Sequence, residues 1–234
     1  MSTHLTRKEL KQDNVALKVE ETFDFFTHHR PQLIRYGGGA VAAIVIAAGV
    51  YYYVTSQREA REQMLGDAIS AQSAPVGTAP PNGGLSFPTE DAKKQAVVAD
   101  YTKLVAEHGG SEEAYIAEYT LGGMDLDNGK MADARKKYQD VADHANANYA
   151  SLAKLALAQL DFAENKTADA QTILKDLQDH PTDLVSKTQA TFALAKVLAP
   201  TQPEEARKLL TALASAQNDA SQPAVAALQE LPAK

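Results

Sequence analysis

Nineteen consecutive residues, Tyr36 to Val54 (YGGGAVAAIVIAAGVYYYV), contain no charge, amide or proline. As a helix rising about 1.5 Å per residue they would reach roughly 28 Å, close to the hydrocarbon thickness of a bilayer. Tyr36 stands at one end and Tyr51, Tyr52 and Tyr53 at the other, where amphipathic rings favour the headgroup boundary. Arg30 and Arg35 flank one side, Arg58 and Arg61 the other. A buried helix of a soluble protein is the alternative, but a core helix of this length with charged rims and no polar face is uncommon. A cleaved signal peptide would have a short charged leader, whereas thirty-five residues precede this run, and the TSQREARE that follows offers no small-x-small cleavage pattern. The stretch is therefore read as an uncleaved transmembrane anchor. Six lysines and arginines precede it, and Arg58 and Arg61 are the only two between it and Glu90. That bias places the N-terminus inside and the larger part of the chain outside.

Sequence on either side of the span divides by composition. Residues 1–14 are polar and without useful periodicity, and are expected to be frayed. Val15, Val19, Phe23 and Phe26 recur at helical spacing opposite Glu20, Glu21 and Asp24, so the 1–35 segment is expected to hold a short amphipathic helix. It either lies at the membrane surface or docks a partner, and Pro31 ends it or begins the next helix. Within the span Gly39, Ala43 and Ala47 form a small-residue stripe that would let another transmembrane helix approach closely. Residues 55–70 are charged and helix-compatible, so the span is expected to continue as a juxtamembrane helix. Residues 71–89 hold Pro75, Pro80, Pro81, Pro88 and three glycines, and read as a flexible tether on which Phe87 could dock back.

Residues 90–234 repeat. Ala134, Ala170 and Ala206 are 36 residues apart, within ADARKKYQDVADH, ADAQTILKDLQDH and EEARKLLTALASA. Four residues on come Tyr138, Leu174 and Leu210, and seven on come Val141, Leu177 and Leu213, which together make one helical face. Leu126, Phe162 and Leu198 keep the period on the preceding helix. An incomplete earlier copy, AVVADYTKLVAEH, supplies Tyr101 and Leu104. About three helix-turn-helix units and a leading half are expected, with Asn128-Gly129 and Asn165 at turns requiring positive φ, and Pro200 and Pro203 at the third turn. The fold class is all-α: one transmembrane helix, a flexible tether, then a helical-repeat solenoid.

Leu121-Gly122 followed by Ala134 and Tyr138 resembles the Leu-Gly…Ala…aromatic pattern of the tetratricopeptide repeat. Leu157-Ala158 with Ala170 and Leu174, and Leu194-Ala195 with Ala206 and Leu210, are looser versions. The period of 36, the absence of tryptophan and Pro181 as the one proline near a unit end mark the repeats as divergent. A short cytoplasmic segment, a single anchor and divergent repeats of this type together resemble the bacterial ancillary subunit of the Sec translocon. That resemblance implies an inner-membrane protein with a periplasmic repeat domain, partnered by translocon subunits, a membrane-anchored peptidyl-prolyl isomerase or client polypeptides. A structural scaffold in another envelope assembly, such as division or secretion machinery, remains the second reading. Because the first helix of each pair lines the groove in tetratricopeptide stacks, the resemblance points to Tyr115, Glu118, Tyr119, Lys154, Leu155 and Gln159 as binding candidates. The residues themselves leave it open whether Tyr119 and Leu155 instead pack against neighbouring helices.

Chemistry is sparse. Residues 90–234 carry 15 lysines and arginines against 22 aspartates and glutamates, a balance of −7 that disfavours phosphate-backbone binding, so no nucleic-acid partner is expected. Cysteine is absent, which removes disulfides and thiolate metal sites. His108, His144 and His180 are spaced by 36, but equivalent positions in a stack are displaced by one unit each and do not converge on one ion. They read instead as last-turn residues facing the negative helix end. No HExxH, G-x-S-x-G, phosphate loop or dinucleotide fingerprint is present, so no cofactor, metal or catalytic residue is expected.

Overall fold

The computed structural model describes residues 7–78, 83–216 and 220–231, with the side chains of 7–35 and of Gly37 outside that description. Among the described residues the fold is all-helical, without a strand. The helices are α1 (Arg7–Ser73), α2 (Glu90–His108), α3 (Glu112–Asp127), α4 (Met131–His144), α5 (Ala147–Ala163), α6 (Thr167–Asp179), α7 (Lys187–Leu198), α8 (Pro203–Ser215) and α9 (Ser221–Glu230). The chain divides into two units, residues 1–59 and 60–234.

In the first unit, α1 is long and apolar enough to cross a membrane: from Gly38 onward it contains an 18-residue window of mean hydropathy 1.6, none of it buried. Val41, Ile44, Val45, Ile46 and Val50 are each more than half exposed, so no core covers this face as it would cover a soluble protein's central helix. Two local expectations change. Helical backbone begins at Arg7 rather than Val15, and it runs through Pro31 without ending there. A proline inside a helix removes one backbone donor, and a single lost bond does not terminate a helix of 67 residues. The apolar face expected of Val15, Val19, Phe23 and Phe26 lies outside the described side chains.

The second unit begins at Ala60, thirty residues before the expected boundary. The last turns of α1 supply Ala68 and Ala71 to a buried cluster with Val97, Tyr101, Leu104, Ala117 and Leu121. Tyr101 donates its hydroxyl to Gln72 Oε1 at 2.8 Å, and Arg61 Nε meets Glu113 Oε2 at 3.0 Å. Burial raises the Glu113 carboxyl, but its own backbone N–H and the Arg61 guanidinium outweigh that and hold it below the usual range. The ends of the tether are also held together. Phe87 packs against the same cluster, Gly77 N–H donates to Phe87 O at 2.8 Å, and Phe87 N–H donates to Pro75 O at 3.1 Å. One aromatic ring buries enough surface to close the base of a loop that proline and glycine alone would leave open.

From α2 to α9 each helix packs on the next in sequence, and α3 also meets α5. The columns read from the 36-residue period are internal. Ala134, Ala170 and Ala206 are wholly buried, and Tyr138, Leu174, Leu210, Val141, Leu177 and Leu213 are buried beside them. Val97, Tyr101 and Leu104 of α2 make the same face one unit earlier. Leu198 is buried, while Leu126 and Phe162 are only half-buried.

Two of the turns share one geometry. Gly129 (φ +73°) and Asn165 (φ +64°) end α3 and α5 in the left-handed region. In both, the residue after the turn bonds back five positions (Lys130 N–H to Asp125 O, 2.8 Å; Lys166 N–H to Asp161 O, 2.7 Å). Inside it, Gly129 bonds to Leu126 O and Asn165 to Phe162 O, completing the paired bonds of a Schellman end. The third turn replaces this with Thr201 and Gln202 both bonded to Leu198 O, and Pro203 opens α8. Ser111, Asn146 and Ser186 cap α3, α5 and α7 with their side chains, which satisfies otherwise orphaned amides.

Candidate functional site

The first two helix pairs, α3–α4 and α5–α6, meet along a junction with charged residues at positions 36 apart. Glu118 on α3 faces α4 across an open cleft of about 740 Å³, lined otherwise by Ala132, Arg135, Lys136, Lys137, Gln139, Asp140 and Asp143. Burial, and then the Asp140 carboxylate within hydrogen-bonding reach, push the Glu118 carboxyl up to about 7. Thirty-six residues on, Lys154 occupies the position of Glu118 and Asp176 that of Asp140, and their side chains pair at 2.9 Å. That ammonium is the main reason the Asp176 carboxyl lies below its usual range. The positions 36 residues further on are Ala190 and Ala212, so α7 and α8 carry no such polar pair there, and the neutral bond from Gln178 to Thr191 Oγ1 at 2.8 Å joins α6 to α7 instead.

The other groove candidates separate. Leu155 is 7% exposed and belongs to the cluster of Leu174, Leu177 and Leu194, so it is a core residue, as the packing alternative had it. Tyr119 leans on Tyr138, ring centroids 5.3 Å apart and tilted by 52°, and Tyr115 packs against the same cluster. Burial pushes the Tyr138 hydroxyl up to about 12. Gln159 is exposed on the rim of a smaller crevice of about 340 Å³ between α5 and α7, lined by Phe162, Ala193, Lys196 and Val197. Glu118, Lys154 and Gln159 thus remain reachable from solvent, whereas Leu155 does not. Sequence reasoning missed Asp140 and Asp143. A signal for Asp140 was there, because Asp140 and Asp176 share the 36-residue spacing of Glu118 and Lys154.

Missed as well were ion pairs between neighbouring helices: Arg135 of α4 meets Asp161 of α5 at 2.8 Å and Glu164 at 3.1 Å, and Lys137 of α4 meets Asp125 of α3, within the same pair, at 2.6 Å. His144 Nδ1 lies 3.0 Å from Asp140 O, and His180 Nδ1 lies 3.1 Å from Asp176 O. Both imidazoles therefore engage the end of their own helix. Among the described residues no group of three or more histidine, cysteine or carboxylate side chains is arranged to hold a metal ion. In the span, Gly39, Ala43 and Ala47 are exposed, and a Cβ added at Gly39 would meet nothing within 4 Å.

Comparison of the chain with protein-family models, with curated proteins and with solved structures gave no match.

Proposed function

We propose that this chain is a membrane-anchored protein–protein interaction module. In this reading it is a single-pass inner-membrane protein with a cytoplasmic N-terminus, and its helices form a tetratricopeptide-like solenoid in the periplasm. There it serves as a chaperone-like helper beside the Sec translocon, holding translocon subunits, a membrane-anchored peptidyl-prolyl isomerase or emerging clients. The observation that supports it best is an uncovered apolar helix joined in sequence to helix pairs whose Ala134, Ala170 and Ala206 columns are buried at equal spacing. Binding rather than turnover is its work, with no catalytic residue or cofactor assigned.

Crosslinking from photoreactive residues at Gly39, Ala43 or Ala47 tests the partner: recovery of translocon subunits is expected. Consistent recovery of division or secretion components instead would replace the translocon reading with that of a scaffold. Cysteines introduced at Ser2 and Ser221 test topology. Labelling of Ser221→Cys but not Ser2→Cys from the periplasm is expected, and the reverse pattern inverts the orientation.

A further inference from the structure

The space between α3 and α5 and the space between α5 and α7 are filled differently. Counted from Leu121-Gly122, Leu157-Ala158 and Leu194-Ala195, the positions of Leu126, Ala156 and Leu160 in the first correspond to Phe162, Ala193 and Val197 in the second. In the first, Tyr138 belongs to one buried cluster with Leu126, Ala156 and Leu160. Its ring lies against Gly122, and its hydroxyl reaches to 3.6 Å from where a Cβ of Gly123 would stand. In the second, Leu174 takes the place of Tyr138 and Ala158 that of Gly122. The aliphatic chain is shorter than a phenol ring, and here Phe162, Ala193 and Val197 wall the crevice of about 340 Å³ above Leu174. Its rim carries Lys196 and, at the position of Gly123, Gln159. Lys137 and Lys154 pair with Asp125 and Asp176, but no aspartate or glutamate is among the described residues that line this crevice. The Lys196 ammonium instead lies 5.9 Å from the centroid of the Phe192 ring, which supports its stem beside the opening.

We propose that the crevice between α5 and α7 receives one aromatic side chain of a bound polypeptide, with a neighbouring carboxylate paired to Lys196. The proposal rests on the reading of this chain as a protein-interaction module and names the chemistry that one of its sites selects. The chain carries its own precedent, because Tyr138 places an aromatic ring on the corresponding three wall positions one unit earlier. In the second crevice the ring comes from outside, past Gln159 and Lys196. Removing its faces from water against Phe162, Ala193 and Val197 supplies most of the attraction. The Gln159 amide offers a donor and an acceptor to the backbone of an extended segment. Lys196 sets the sign of the flanking charge, since a cation at an opening without acids favours an acidic neighbour over a basic one. The balance of −7 over residues 90–234 acts from further away and is screened beyond about 8 Å at physiological salt, so the adjacent ammonium decides.

The test uses the full-length protein in phosphatidylcholine nanodiscs, with alanine and valine methyl groups labelled for NMR. The probe is acetyl-Ala-Phe-Asp-Ala-amide, titrated to about 10 mM so that millimolar dissociation constants are measured. Two controls replace its phenylalanine by alanine or its aspartate by asparagine. Saturable shifts of the Ala193 and Val197 methyls are expected with the probe and not with the peptide lacking the ring. The asparagine peptide should bind about two- to fivefold more weakly, the range an exposed ion pair gives, and Lys196→Glu should remove that difference. Ala158→Gly combined with Leu174→Tyr rebuilds the first arrangement inside the second, fills the crevice from within and should abolish binding. Should that double variant not fold, the three peptides on the wild-type chain and on Lys196→Glu decide by themselves. The proposal is overturned by an absence of saturable shifts with the probe, or by equal shifts with the peptide lacking the ring. Binding of the asparagine peptide as tight as that of the probe overturns it too, as does undiminished binding to a folded double variant. Each of those results leaves the anchored-module reading to the crosslinks from the span, which test it separately.

Discussion

At the scale of single residues, Gly122 and Tyr138 show how one side chain dictates another across two helices. A Cβ at Gly122 would lie 2.9 Å from Tyr138 Cε1. The ring is 4% exposed and packed against Tyr119, which leaves it little room to move aside. In the following units alanine stands at the glycine position (Ala158, Ala195), and the smaller Leu174 and Leu210 replace the tyrosine. Gly122→Ala gains about 1 kcal/mol in helix propensity but overpacks the contact, so a net loss of about 1–2 kcal/mol is expected in urea unfolding. Tyr138→Leu in the same chain should recover most of that loss, which a double-mutant cycle measures as coupling. Asn165, at φ +64°, makes a second prediction. Asn165→Gly should be close to neutral, because Gly129 does the same work one unit earlier, whereas Asn165→Ala should cost about 1 kcal/mol.

At the scale of elements, the last turns of α1 are part of the folded unit rather than a stalk beside it. They cover Val97, Tyr101 and Leu104, which α2 would otherwise present to water. A fragment beginning at residue 90 should accordingly unfold at a lower urea midpoint than one beginning at residue 60. It should also bind a hydrophobic dye that the longer fragment does not. The boundary was hidden because residues 60–73 have the charged composition of an exposed helix. Their buried positions, Ala68 and Ala71, are too small to register as an apolar face. Period and size did reveal α4, α6 and α8, where each buried column carries a branched aliphatic or aromatic side chain every third or fourth position.

For the whole molecule, the capacity of α1 to cross a membrane is a property of uninterrupted composition. Val45→Arg, near the middle of the run, should add about 2.5–3.5 kcal/mol to insertion, and the fraction resisting carbonate extraction should drop accordingly. Deleting residues 36–54 should leave the protein in the soluble fraction after lysis, with the thermal unfolding of the 60–234 unit unchanged.

Sequence alone determined the apolar span, the all-helical class, the buried columns and the positive-φ turns at Gly129 and Asn165. Each of these depends on residue type and on neighbours a few positions away, which is the range over which periodicity and backbone sterics act. Tertiary structure decided that the last turns of α1 belong to the core, that Phe87 closes its loop and that Leu155 lies inside. It also decided that Glu118 meets Asp140 where Lys154 meets Asp176. These are contacts between side chains on different helices, and their energies depend on distances that no spacing along one chain specifies.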